Sequence, residues 1–147
     1  MNTCSTYPSA AINDLVANFA GLPSWEKRYC YLLELGKQLP CLQLDQQSEA
    51  IHFNGCQSSV WLTTSLETQE DHPRIHFLAD SDSKIIRGLI AVLHCVYSGQ
   101  TPEFILSYDI DVLFAQLALE QHVNAGRRNG LHAMETHIKG LARAYSA

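Results

Sequence analysis

A chain of 147 residues with 46% hydrophobic and 17% charged side chains is long and apolar enough for one domain to bury its own core. Fifteen acidic against ten basic residues give a formal charge of -5, which argues against a nucleic-acid binder. The one local basic concentration, Arg127-Arg128 with Lys139 and Arg143 further on, is too thin to change that.

No repeat, low-complexity tract or linker interrupts the chain, so residues 1–147 are expected to form a single domain, with 1–10 as a flexible tail. Ile12, Leu15, Val16 and Phe19 are spaced for one face of a short first helix over Ile12–Phe19, ended by Gly21 and Pro23. Ser24 is a suitable N-cap for a second helix, with Glu26 in its first turn and Trp25, Tyr29, Leu32 and Leu33 along one face. It runs to about Lys37, since Pro40 forbids its continuing. Gln43–Ala50 is polar and loop-like, and Ile51-His52-Phe53 reads as a short strand leading into Asn54-Gly55-Cys56.

From Ser59 to Leu66 the pattern alternates, Val60, Leu62, Thr64 and Leu66 on one side and Trp61, Thr63 and Ser65 on the other, as in a half-buried strand. Arg74–Ala79 alternates likewise through Ile75, Phe77 and Ala79, and the polar Glu67–Pro73 is expected to join the two as a hairpin loop. Asp80-Ser81-Asp82 is expected to cap a long helix whose stripe of Ile86, Leu89, Ile90, Leu93, Val96 and Tyr97 is broad enough for the centre of the core. Gly99 ends it. Thr101-Pro102-Glu103 opens a short helix by the cap-then-proline signature, another is expected from about Val112 to Leu119, and a last one from near Arg127 carries Leu131, Met134, Ile138 and Leu141. Helices on both sides of a small antiparallel sheet of about three strands make an α+β domain.

Five cysteines, Cys4, Cys30, Cys41, Cys56 and Cys95, are odd in number and include no C-x-x-C pair. No stretch approaches the roughly 20 apolar residues of a membrane helix, and the first residues lack the basic and apolar regions of a signal peptide. Reduced thiols in the cytoplasm are therefore expected. Cys30 and Cys95 fall in helices, where packing suffices to explain them, whereas Cys56 follows a turn-forming Asn54-Gly55 on a loop before a strand. On spacing alone, a displayed reactive thiol and a small buried hydrophobe both remain open for Cys56. The seven histidines and the cysteines supply no set with zinc-ligand spacing, and no G-x-S-x-G or phosphate-binding glycine loop is present.

Four blocks in order resemble the SufE/CsdE family of sulfur-acceptor proteins, over roughly Asn13 to Ala142. Residues Trp25 to Gly36 look like the family's W-E-x-x-Y-x-Y-I-x-E-L-G helix, and Asn54-Gly55-Cys56-Gln57-Ser58-Ser59-Val60-Trp61 like its G-C-Q-S-x-V-W active loop. Asp80 to Leu89 resembles D-S-D-x-x-I-V-x-G-L, and Arg127-Arg128-Asn129-Gly130-Leu131 resembles R-x-N-G-L. The chain departs from the family in having Ala79 before Asp80, where glycine is usual, and Ala125-Gly126 before Arg127, where Pro-Ser is usual. Gln57-Ser58 leans toward the SufE branch.

The resemblance implies a SufE/NifU-like fold in which Cys56 receives a persulfide sulfur from a pyridoxal-phosphate-dependent cysteine desulfurase of the SufS/CsdA kind, stimulates that enzyme, and passes the sulfur to an iron–sulfur scaffold or another acceptor. It implies roles in loop support or partner binding for Gly55, Gln57, Ser58, Asp80, Asp82, Arg127 and Asn129. The mostly apolar Val60-Trp61-Leu62 nearby is, on its own composition, a candidate shelter for the loop. The chain itself would need no cofactor or metal, and would act as a sulfur-transfer accessory rather than an enzyme. An iron–sulfur or metal-binding scaffold is the alternative, and it requires several converging thiolates; a purely structural adaptor is the third.

Overall fold

The computed structural model describes residues 8–39, 51–53, 59–69, 72–117, 119 and 125–145, and of 8–11, 51–53, 69, 72 and 125–130 the backbone alone. Helix α1 spans Pro8–Ala20 and α2 Trp25–Gln38, followed by strands β1 (Ile51–Phe53), β2 (Val60–Gln69) and β3 (His72–Ser81). Helices α3 (Lys84–Tyr97), α4 (Pro102–Ser107), α5 (Ile110–Gln116) and α6 (Ala125–Tyr145) complete the α+β arrangement. The sheet is antiparallel in the order β1-β2-β3, two ten-residue strands forming its body and three residues of β1 its edge.

Helix α3 lies at the centre, as its broad apolar stripe implies, packing against α1, α2, β3 and α6. Its Leu89, Ile90, Val92 and Val96 are wholly buried, against Leu32 from α2, Val60 and Leu62 from β2, and Ile75, Phe77 and Ala79 from β3. Helices α2 and α3 touch through glycines. A Cβ built on Gly88 would stand 2.4 Å from the Leu32 carbonyl oxygen, and one on Gly36 would stand 2.8 Å from the Gly88 nitrogen. Only hydrogen fits at these two places, and the close approach brings Leu32 and Leu35 of α2 into the core.

Several boundaries differ from the sequence expectation. Residues 8–10, expected in the tail, are the first turn of α1. The hairpin is not looped over Glu67–Pro73: the ladder continues through Glu67↔Arg74 and Thr68↔Pro73 to Gln69↔His72. Glu67 and Thr68 lie at the surface while the backbone goes on pairing, so polarity marked exposure and not a loop. Helix α5 begins at Ile110 instead of about Val112, because the Asp109 carboxylate accepts a hydrogen bond from the Asp111 amide at 3.0 Å and caps it there.

The outer edge of β3 is covered by the turn after α3. Gly99, at φ +80, donates its amide to Ile75 O at 2.7 Å, and Ile75 donates back to Gln100 O at 3.0 Å. The Ser98 hydroxyl engages both the amide and the carbonyl of Phe77. At the far end of the core, Tyr97 donates its hydroxyl to Tyr108 O at 3.0 Å and to Glu135 at 3.3 Å, tying α3 to α6. Burial, then the Glu135 charge and hydrogen bond, push the Tyr97 hydroxyl pKa far upward, so it remains a donor.

His94, on α3, packs edge-on against Phe77 with ring centroids 5.4 Å apart. Burial first, and His76 second, hold its pKa below the ordinary 6.5; His76 itself faces Glu67 at 3.2 Å. The folded form thus keeps His94 neutral, whereas the unfolded chain takes up the proton first on acidification. Its contribution is complete above the unfolded value and is lost as pH falls through and below it. Urea midpoints are expected to fall between about pH 7.5 and about pH 5, and His94→Phe, which keeps a ring without a titrating nitrogen, to lessen that fall. The glycine contact gives a second expectation. Gly88→Ala should destabilise by about 1–3 kcal/mol in urea unfolding, whereas Gly140→Ala, on α6 with nothing within 4 Å of its added methyl, should stabilise by up to about 1 kcal/mol.

Candidate functional site

The segment bearing Cys56 is held at its two ends. Phe53 and Val60 are cross-strand partners, followed by His52↔Trp61 and Ile51↔Leu62, so the chain leaves β1 and re-enters β2 at one place. Gly55, Cys56, Gln57 and Ser58 lie outside the described residues. Ser59, the residue before β2, donates its amide to Asp82 Oδ1 at 3.0 Å. Val60 and Leu62 are fully buried among core side chains, which leaves Trp61, partly buried, as the member of that trio on the other face.

The β3–α3 corner stands directly across from this base, since Val60 pairs with Ser81 and Trp61 with Asp80. Asp80 is 7% exposed and Ser81 likewise, both in the strand and not in a helix cap. The cap of α3 is Ser83, whose hydroxyl accepts from the Ile86 amide at 3.4 Å while its own amide donates to Ser81 Oγ at 3.1 Å. The expected capping role of Asp80-Ser81-Asp82 therefore passes to Ser83. The two aspartates have other work: Asp82 accepts from Ser59, and Asp80 Oδ1 accepts from the Ser81 amide at 2.8 Å and from the Arg87 guanidinium.

A carboxylate this enclosed needs a paired charge, because leaving it alone would forfeit its hydration without return. Arg87 supplies it, and with its second nitrogen donates to Gly36 O and Leu39 O, each at 3.0 Å. Arg87 is the residue that sequence reasoning passed over. The signal available was a lone arginine within the first turns of an otherwise apolar helix, where a buried cation implies a buried anion.

The structure brings Asp80 and Asp82 to the base of the Cys56 segment. Arg127 and Asn129 lie in the first turns of α6, their side chains outside the described residues. Of the remaining cysteines, Cys30 is free and exposed on α2. Cys95 is 3% exposed on α3, within the core cluster. Among the described residues no three His, Cys, Asp or Glu side chains gather as metal ligands, and no helix is long and apolar enough to cross a membrane. Two clefts, one between α3, α5 and α6 around Phe114 and Glu135 and one between the hairpin and the end of α6 around Leu66 and Tyr145, include none of residues 59–61 or 80–82.

Comparison with known proteins agrees with this architecture. A hypothetical protein from Thermus thermophilus, known from a solution structure, superposes with a TM-score of 0.68 at 17% identity, over 90% of this chain and 93% of that one. At that identity the likeness speaks for the fold alone. The family model for SufE, described as an Fe-S metabolism associated domain, matches residues 13–142. That span takes in α2, the Cys56 segment, the β3–α3 corner and most of α6, and so the chain belongs to the SufE family of Fe-S metabolism associated domains.

Proposed function

We propose that the protein is a sulfur carrier that accepts sulfur on Cys56 from a pyridoxal-phosphate-dependent cysteine desulfurase, stimulates that enzyme, and hands the sulfur on for iron–sulfur cluster assembly in the cytoplasm. The observation that carries this reading is the family match over residues 13–142, within which Cys56 occupies the cysteine of a G-C-Q-S block. The base of the segment suits the task. A thiol that must enter another protein's active site belongs on a connection whose two ends are fixed to a rigid sheet, as Phe53↔Val60 and the Ser59–Asp82 hydrogen bond fix this one.

The step is a thiol exchange without net oxidation. The Cys56 thiolate attacks the outer sulfur of the desulfurase's persulfide; the sulfur–sulfur bond there breaks, the desulfurase cysteine departs as a thiolate, and Cys56 becomes the persulfide. The carbon–sulfur cleavage that charges the donor takes place on the partner, with the partner's cofactor. Asp80, Asp82, Arg127 and Asn129 act in this reading as loop support or as docking residues, and charge complementarity with the desulfurase sets the encounter rate.

Incubation with a desulfurase and free cysteine, followed by mass spectrometry of the intact and digested protein, is expected to show one added sulfur on the peptide containing Cys56. Cys56→Ser should take up none and lose its stimulation of the desulfurase. Full stimulation by the serine variant, or sulfur mapped to another cysteine, defeats the proposal.

A further inference from the structure

Three elements meet at the guanidinium of Arg87. One nitrogen pairs with Asp80 at the end of β3, and the other bonds the carbonyls of Gly36 and Leu39 at the end of α2. The side chains of Arg87 and Asp80 are 16% and 9% exposed, so these contacts are sheltered from competing water. A helix C-terminus carries partial negative charge, and the planar fork of an arginine can serve that terminus and a carboxylate at once. None of these three partners belongs to the helix that carries Arg87. The effect of the side chain is to hold the β3–α3 corner against α2. From that corner Asp82 reaches across to the Ser59 amide, three positions beyond Cys56 in the chain.

We infer that Arg87 is a positioning residue for sulfur acceptance: by clamping Asp80 to the end of α2 it fixes the corner from which Asp82 grips Ser59, and thereby the base of the Cys56 segment. The functional half rests on the sulfur-acceptor reading; the mechanical half stands on the hydrogen bonds alone. A lysine at this position keeps the charge and loses the fork, so it can serve the carboxylate or the helix carbonyls but not both in the same geometry.

The full-length chain with Arg87→Ala, Arg87→Lys and Asp80→Asn tests this. Amide hydrogen exchange is followed at Ser59, with Ile75 at the distant end of the hairpin as the control. The rate of Cys56 alkylation is measured against pH. In Arg87→Ala the Ser59 amide should exchange about fivefold faster while Ile75 is unchanged. The alkylation profile should shift, and sulfur uptake from a desulfurase should slow by about tenfold. Arg87→Lys should fall between alanine and wild type. Unaltered Ser59 exchange and an unaltered alkylation profile in a folded Arg87→Ala protein overturn the inference. Should the alanine variant fail to fold, Asp80→Asn decides: it removes the charge that Arg87 faces, and a Ser59 amide exchanging as in wild type overturns the inference equally. A wild-type chain that accepts no sulfur overturns the acceptor reading and the functional half with it, whereas the Ser59 result still judges the clamp.

Discussion

Two helix backbones pressed together through paired glycines set the frame on which the rest of this molecule is assembled. With Gly36 and Gly88 facing, the Gly88 side of α3 meets the carbonyl of Leu32 at a distance no side chain permits. One consequence is burial, since α2 can then place Leu32 and Leu35 into the shared core. Another is register. The contact sets the end of α2 beside the start of α3, where one arginine reaches Gly36 O and Leu39 O together. Without that proximity the Asp80 carboxylate at the end of β3 would share its arginine with nothing, and the corner opposite the Cys56 segment would be joined to the sheet only.

Polar and apolar forces divide the work at this corner. Val60 and Leu62 on one strand and Ala79 on the next are locked by close packing, which has no angular preference. The directional part falls to charge-assisted hydrogen bonds around Asp80 and to the Ser59–Asp82 bond. An apolar core determines that the strands lie on α3; the polar bonds determine where the strand ends and the loop begins. The base of the segment that bears Cys56 depends on the second kind of specification more than on the first.

The legible parts of the sequence were those with strong periodicity. The stripe from Ile86 to Tyr97 identifies α3 as central, the Ser24 and Thr101 caps act as their chemistry suggests, and the alternation of Val60 with Leu62 and of Ile75 with Phe77 identifies the hairpin strands. Its length was misjudged because Glu67, Thr68 and Pro73 are polar or strand-averse one by one, yet the ladder makes its demand on backbone groups. The aspartates at 80 and 82 look like caps because their neighbours in sequence are a helix; instead Asp82 accepts from Ser59 beside β2, and Asp80 pairs with the Arg87 side chain. Arg87 is the extreme case. Its carbonyl acceptors lie 51 and 48 positions away in the chain, a separation that no local pattern records. Cys56 itself was found by motif resemblance, since spacing alone left a buried thiol and a displayed one equally open.

The turn made by Ser98, Gly99 and Gln100 closes the outer side of β3 by occupying the backbone groups of Ile75 and the amide of Phe77. An unpaired strand edge is a template on which a stray peptide or a second hairpin can lie and propagate. Here that template is already filled from within the chain, by three residues that also end the central helix. Filling that edge from within the chain keeps this flank of the sheet from becoming an unwanted point of adhesion, and so reserves intermolecular contact for surfaces where geometry and charge can choose the partner.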